Sequence, residues 1–267
     1  MSKRTEMINA LYDGYREDAR LEASRQGQLE FLTTMHYIHR LIPKGSSILE
    51  IGAGTGRYSI ALAKEGHRVT AIDLAERNLK LLRERAEGID NLLTFYGDAL
   101  DLGRFGDSSF DATLVLGPMY HLYDYEDQLK ALREAVRVTK PGGVIMTAFL
   151  SIHAIMNDDY MQGNFAEGCK VNFTADFCVK HFTEQRFTGF YIDEFEELFE
   201  ILPVDHLTTV ATDGILELAT MTKNFSMSDD DFHMFTSYHL HHCEKREYLG
   251  SSSHLLHICR KAERKTL

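Results

Sequence analysis

The stretch Ser46-Ser47-Ile48-Leu49-Glu50-Ile51-Gly52-Ala53-Gly54-Thr55-Gly56-Arg57-Tyr58 constrains this chain more than any other. Ile48, Leu49 and Ile51 have the continuous apolar character of a buried parallel strand, and Tyr58, Ile60, Ala61 and Ala63 read as the inner face of a helix that stops at Gly66. Between them Gly52, Gly54 and Gly56 let the backbone turn tightly and lie bare against a ligand. The turn is not a phosphate-binding loop of the Lys-Ser/Thr kind, because Arg57-Tyr58 follow the last glycine. Its G-x-G-x-G spacing also departs from the G-x-G-x-x-G of dinucleotide folds. Glu50, two positions before the first glycine, would repel a pyrophosphate but accept a ligand carrying an ammonium or sulfonium.

The rest of the chain repeats strand and helix around that turn. Val69, Ala71 and Ile72 form a second strand ending at Asp73, with Leu79, Leu82 and Ala86 marking the next helix. Asp73 stands where a parallel sheet delivers a carboxylate to a ribose hydroxyl, although an acid there can also cap the helix that follows. A third strand, Leu92 to Tyr96, runs into Gly97-Asp98-Ala99, and a fourth, Phe110 to Leu116, breaks at Gly117-Pro118-Met119-Tyr120-His121. After a helix with Leu129, Leu132, Ala135, Val136 and Val138 inside, the Lys140-Pro141-Gly142-Gly143 turn leads to a fifth strand, Val144 to Leu150. Four strand ends thus carry unusual residues, and in an open parallel sheet the ligand crevice lies at those carboxyl ends.

The flanks are less regular. Residues 1–45 read as an N-terminal arm or lid, polar through Tyr12, Tyr15, Arg16, Asp18, Arg20 and Arg25 and then an amphipathic helix from about Gln26 to Leu41. Residues 46–150 are the ligand-binding core. Residues 151–202 break the rhythm with many aromatic side chains and read as a helical cap over an acceptor site, since a linker this apolar would expose hydrophobic surface. Residues 203–267 complete the core, with strands at His206 to Ala211 and His254 to Cys259 and a helix through Phe232 to Cys243.

Charge and cysteine content narrow the partners. Lys plus Arg at 29 against Asp plus Glu at 40 gives a net charge of −11, which disfavours nucleic acid and anionic membranes and favours a small-molecule partner. No basic-then-apolar leader and no membrane-length apolar run is evident, so a cytoplasmic location is expected. Cys169, Cys178, Cys243 and Cys259 form no C-x-x-C pair and read as reduced structural thiols. His239 and His242 share a helix face without a third ligand at zinc spacing, and His254 and His257 read as packing or surface residues, so no metal is expected.

Taken in order, Leu49-Glu50-Ile51-Gly52-Ala53-Gly54-Thr55-Gly56, Asp73, Gly97-Asp98-Ala99 and Lys140-Pro141-Gly142-Gly143 resemble the class I S-adenosylmethionine-dependent methyltransferases, and the Leu116-to-Leu122 stretch with its following cap looks like bacterial small-molecule members. The resemblance implies a Rossmann-like α/β three-layer sandwich with a seven-stranded, mostly parallel sheet in the order 3-2-1-4-5-7-6. It also implies S-adenosylmethionine as cofactor. Gly52, Ala53, Gly54 and Gly56 would lie along its methionyl and ribose parts, with Glu50 holding the loop and reaching the amino group. Asp73 with Leu74 would take the ribose, Asp98 with Ala99 the adenine, and the carbonyl of Leu116 or Gly117 the methionyl ammonium. Gly117 stands where enzymes acting on base or glutamine amino groups carry Asp or Asn, which makes those acceptors poor candidates.

Three side chains carry alternatives. His121 is placed to act as a general base, or to bond a backbone carbonyl. Tyr120 could line the methyl channel or pack in the core. Arg25 could pair with the cofactor carboxylate or an acidic substrate, or lie on the surface. A nicotinamide-dependent oxidoreductase and a non-catalytic S-adenosylmethionine-binding regulator are the competing functions.

Overall fold

The computed structural model describes residues 3–14, 21, 24–161, 163–183, 185–222 and 224–263. Tyr15, Arg16, Asp18 and Arg20 of the polar arm lie outside them. The elements, in chain order, are α1 (Lys3–Gly14), α2 (Arg25–Leu41), β1 (Ser47–Ile51), α3 (Arg57–Lys64), β2 (Arg68–Asp73), α4 (Glu76–Arg85), β3 (Leu92–Tyr96) and β4 (Phe110–Val115). A 3₁₀ turn at Pro118–His121 precedes α5 (Tyr125–Val138) and β5 (Thr139–Ser151), after which α6 (Ile152–Ile155) runs into a π turn at Met156–Tyr160. The chain continues through α7 (Phe165–Asn172), β6 (Gly189–Phe190), α8 (Ile192–Glu197), β7 (Val204–Ala211), α9 (Leu216–Thr220), α10 (Asp229–His242), α11 (Arg246–Leu249) and β8 (His254–Lys261).

The strands form one sheet in the order β3-β2-β1-β4-β5-β8-β7, the order expected once the two-residue β6, which pairs with the end of β5, is set aside. β1 to β5 run parallel, and β8 lies antiparallel to both β5 and β7. The central strands are buried on both faces, as parallel strands between two helical layers must be. β5 begins at Thr139, earlier than expected, because the Lys-Pro-Gly-Gly segment continues the strand through a register shift opposite Phe110 and Ala112. On α3 the buried face is Tyr58, Ser59, Leu62 and Ala63, one residue round from the expected Ile60 and Ala61, which are half-buried.

The aromatic segment after β5 divides its apolar residues. Phe190, Phe195 and Phe199 join the main core, with Phe149 and Phe195 stacked at 3.9 Å, whereas Ile152, Met156 and Phe173 form a small cluster of their own. The described residues from Phe173 to Thr188 are irregular apart from an isolated bridge, so the described part of the segment is only partly helical. All four cysteines are free thiols.

Candidate functional site

A cavity of about 310 Å³ opens at the carboxyl ends of the parallel strands, a volume within the range of small-molecule pockets, about 300 to 1,000 Å³. One pole is built by the glycine turn and the ends of β2, β3 and β4. Gly52 and Gly54 line it, and both have left-handed backbone, φ 74° and 56°. A Cβ on Gly52 would stand 2.7 Å from Pro118 Cδ, so the turn can approach the strand-four loop only with glycine there. Asp73 and Leu74, Asp98 and Ala99, and Leu116 and Gly117 complete this pole.

Asp73 is buried and braces the turn that it faces. Its Oδ2 accepts from Gly54 N at 2.7 Å and its Oδ1 from Ala75 N at 2.7 Å. Asp98 accepts from Leu100 N at 3.0 Å and forms an ion pair with Arg4. Arg4 comes from α1, which lies across the strand ends: Glu76 N donates to Asn9 Oδ1 at 3.0 Å, and Ile8 and Tyr12 reach the cavity.

The other pole contains Tyr120, His121 and Phe187, with Asp158 and Asp159 from the π turn, Glu217 from α9 and His254 from β8. His121 is buried, its ring bonds the backbone of Arg186, and its Nε2 lies 3.0 Å from the Tyr12 hydroxyl. Burial, with the Arg4 charge, pushes its pKa down to about 4, so at neutral pH the ring is uncharged and a weak base. Asp158 behaves oppositely: burial and the neighbouring Glu217, Asp159 and Asp213 push it up to about 7.

Several expected positions fall elsewhere. Glu50 lies outside the cavity wall and is fully buried against Ser59, whose hydroxyl donates to its Oε2. Burial pushes its pKa up to about 8, so it ties β1 to α3 as a mostly neutral acid at pH 7. The charge repulsion argued against a pyrophosphate therefore does not operate. Ala53 also lies outside the wall, its amide donating to Ile72 O at 3.0 Å. Gly56, at φ 87°, is required by packing instead, since a Cβ there would stand 2.1 Å from Leu82 Cδ1. Arg25 is turned away from the cavity: it pairs with Asp229, bonds Gln28 Oε1 at 3.0 Å and covers the Phe232 ring. Its neighbour Gln26 faces the cavity.

Arg4, Asp158, Asp159, Glu217 and His254 escape sequence reasoning because the segments that carry them have no fixed spacing to the glycine turn. Among the described residues, ligating side chains converge in threes at Glu196, His206 and His257 and at Asp213, Glu217 and His254, neither of which includes His239 or His242.

Comparison with known proteins agrees with this geometry. Residues 48–143 match the family model described as a methyltransferase domain. A demethylmenaquinone methyltransferase of Clavibacter sepedonicus is 34% identical over 150 residues, which are 55% of this chain and 59% of that protein. The chain thus spans under two thirds of the length of the curated relatives it matches. A chain of the complex between the Haloferax volcanii Trm112 methyltransferase activator and the putative methyltransferase superposes with a TM-score of 0.62 at 18% identity, covering 97% of this chain and all of that one. The Burkholderia thailandensis 1,6-didemethyltoxoflavin-N1-methyltransferase, solved with S-adenosylhomocysteine bound, gives 0.57 at 15% identity over 97% and 87%. With the sheet order, the glycine turn and the acids at successive strand ends, these make residues 48–143 similar to a methyltransferase domain and give the chain the fold of the methyltransferase structures on which it superposes.

Proposed function

We propose that this chain transfers the methyl group of S-adenosylmethionine to a small-molecule acceptor. The observation that carries the reading is a single cavity with two chemically different poles: bare glycine backbone and strand-end acids at one, aromatic and titratable side chains at the other. The first pole suits the cofactor. Gly52 and Gly54 offer backbone without side chains, Asp73 and Leu74 would hold the ribose, Asp98 and Ala99 the adenine, and Leu116 with Gly117 the methionyl ammonium. Gln26 would replace the Arg25 contact.

The cofactor supplies a methyl group on a positively charged sulfur. The protein's part is then alignment and exclusion of water, which a recessed cavity favours. Tyr120 and Phe187 give the second pole an apolar wall, α1 reaches the strand ends, and Ala154, Ile155, Asp158 and Asp159 with Arg186 and Phe187 line the cavity where a cap would sit. A small acceptor agrees with the acidic net charge of −11 and with the small-molecule name of the Clavibacter relative. No described helix is long and apolar enough to cross a membrane; a cytoplasmic location belongs to this reading, and fractionation tests it.

The experiment is release of S-adenosylhomocysteine on incubation with S-adenosylmethionine and a panel of small nucleophiles. Acceptor-dependent release is expected. Binding without release would favour a regulator, and reduced nicotinamide binding in place of S-adenosylmethionine would favour an oxidoreductase.

A further inference from the structure

We infer that His254, held by Asp213, takes the proton of the methyl acceptor, so that the acceptors are compounds whose attacking nitrogen, oxygen or sulfur carries a proton. This rests on the methyl-transfer reading above and names the proton-handling residue at the same site. Because β8 runs antiparallel to β5, its first residue, His254, pairs with Leu150 at the carboxyl end of β5. That register brings the ring to the cavity edge, where its side chain is 13% exposed and stands 6.2 Å from the Tyr120 ring.

The second half of the pair is fixed more firmly. Asp213, fully buried in the loop after β7, accepts at Oδ1 from Ser252 Oγ at 2.5 Å, Ser253 N at 3.0 Å and His254 N at 3.2 Å. Its Oδ2 accepts from Gln26 Nε2 at 2.9 Å and faces His254 Nδ1 at 2.8 Å. Burial alone would raise the carboxyl, but the charge and hydrogen bond of His254, with the bonds from Gln26 and Ser252, hold it below its ordinary range, ionised and able only to accept. The proton between the pair therefore sits on Nδ1, and Nε2 is the basic nitrogen of the ring. A buried acid that fixes a histidine's tautomer and stabilises its charged form is an effective general-base arrangement.

Electrostatics separates the two histidines of this pole. His121 faces the Arg4 charge. His254 faces acids: Asp213 from the β7–α9 loop and Glu217 from α9, whose oxygen lies within 4.8 Å of the pair; Asp159 and Asp158, the latter bonded to Glu217 and pushed up to about 7, line the same cavity, with Tyr120 and Gln26 as neutral neighbours. Negative neighbours favour a ring that must become positive. The step balances as follows. The acceptor atom's lone pair forms a bond to the methyl carbon, the methyl–sulfur bond breaks with its pair left on sulfur, and the acceptor's proton passes to Nε2. The imidazolium is balanced by Asp213 and later returns the proton to water.

The test uses the full chain with phenethylamine, catechol and thiophenol as acceptors, calorimetry with S-adenosylhomocysteine, and NMR of ¹⁵N-labelled histidine. Wild type should methylate at least one acceptor. His254→Ala, and His254→Asn, which can keep a bond to Asp213, should each lower kcat by about a hundredfold or more while S-adenosylhomocysteine affinity stays within about twofold. Asp213→Asn should move both the acid limb of the pH profile and the His254 ring titration to lower pH by about one unit or more, and Asp213→Glu should restore part of the shift. A merely structural Asp213 would lower thermal stability without moving either. Less than about tenfold loss in folded His254 variants, affinity and turnover falling together, or no methylation by a protein that binds S-adenosylhomocysteine would each overturn the inference. Absence of S-adenosylhomocysteine binding by the wild type would instead remove the methyl-transfer reading, and this inference with it.

Discussion

Replacing Glu50 with Gln should leave the fold intact and remove a specific pH dependence of stability. The acid is fully buried between β1 and α3, and the Ser59 hydroxyl that donates to it can equally donate to an amide oxygen. Its pKa is raised from the ordinary 4.5 to about 8, first by burial and, in the same direction, by the charge of Asp73; the Ser59 bonds oppose the rise. The folded state therefore keeps a proton that the unfolded chain releases between those values. Its contribution is fully present below about pH 4.5 and is lost as pH rises to about 8. At 1.36 kcal/mol per unit of difference, wild type should lose about 3 to 4 kcal/mol between pH 5 and pH 8 that Glu50→Gln does not lose. Urea unfolding of both proteins at several pH values measures this. Buried neutral histidines such as His121, His239 and His257 titrate alike in both proteins and cancel in the difference. A wild-type-minus-variant difference that stays flat with pH, or one that rises as pH rises from 5 to 8, would refute the account of Glu50 as a buried neutral acid.

Gly56→Ala should lower stability by about 1 to 3 kcal/mol, because the new Cβ meets Leu82 at a left-handed position; an unchanged urea midpoint would contradict the packing role assigned to that glycine. Arg4→Ala should raise S-adenosylhomocysteine affinity by up to about fivefold, the worth of a partly exposed ion pair of about 1 kcal/mol, since Asp98 is then no longer held by Arg4; weaker binding would show that Arg4 serves the ligand directly. His121→Gln should leave the acid limb of the pH profile above pH 5 in place, because a ring pushed down to about 4 does not titrate there; a shifted limb would return His121 to the role of base.

What the sequence made legible follows from spacing. Strand order and the cofactor pole depend on short βα repeats in which a residue's place at a strand end is set by the apolar run before it, so Gly52, Gly54, Asp73, Asp98 and Gly117 could be placed on the cavity wall from the chain alone. Glu50, Ala53 and Gly56 lie in or beside that turn but off the wall: the Glu50 side chain leaves β1 toward Ser59, the Ala53 amide is tied to Ile72, and the Gly56 backbone lies against Leu82, contacts that the pattern of glycines does not encode. Arg25 was one residue from the position that faces the cavity, a displacement that helical periodicity cannot resolve without knowing what α2 packs on. His254 and Asp213 are 41 residues apart and meet only because β8 returns antiparallel beside β5 and β7. A Thr-Asp-Gly break and a strand-end histidine carry no mutual signal until that topology is known.

The most direct measurement is calorimetric titration of S-adenosylhomocysteine into wild type and Asp73→Ala. The account predicts one-to-one binding by wild type, and binding weaker by about 10- to 150-fold in the variant, the worth of a hydrogen bond to a charged group at about 1.5 to 3 kcal/mol. Asp73→Asn, which keeps an oxygen for the Gly54 amide, should lie between them. Equal affinity in all three proteins would remove Asp73 from the site, and no binding by wild type would contradict the claim that this cavity is built for S-adenosylmethionine.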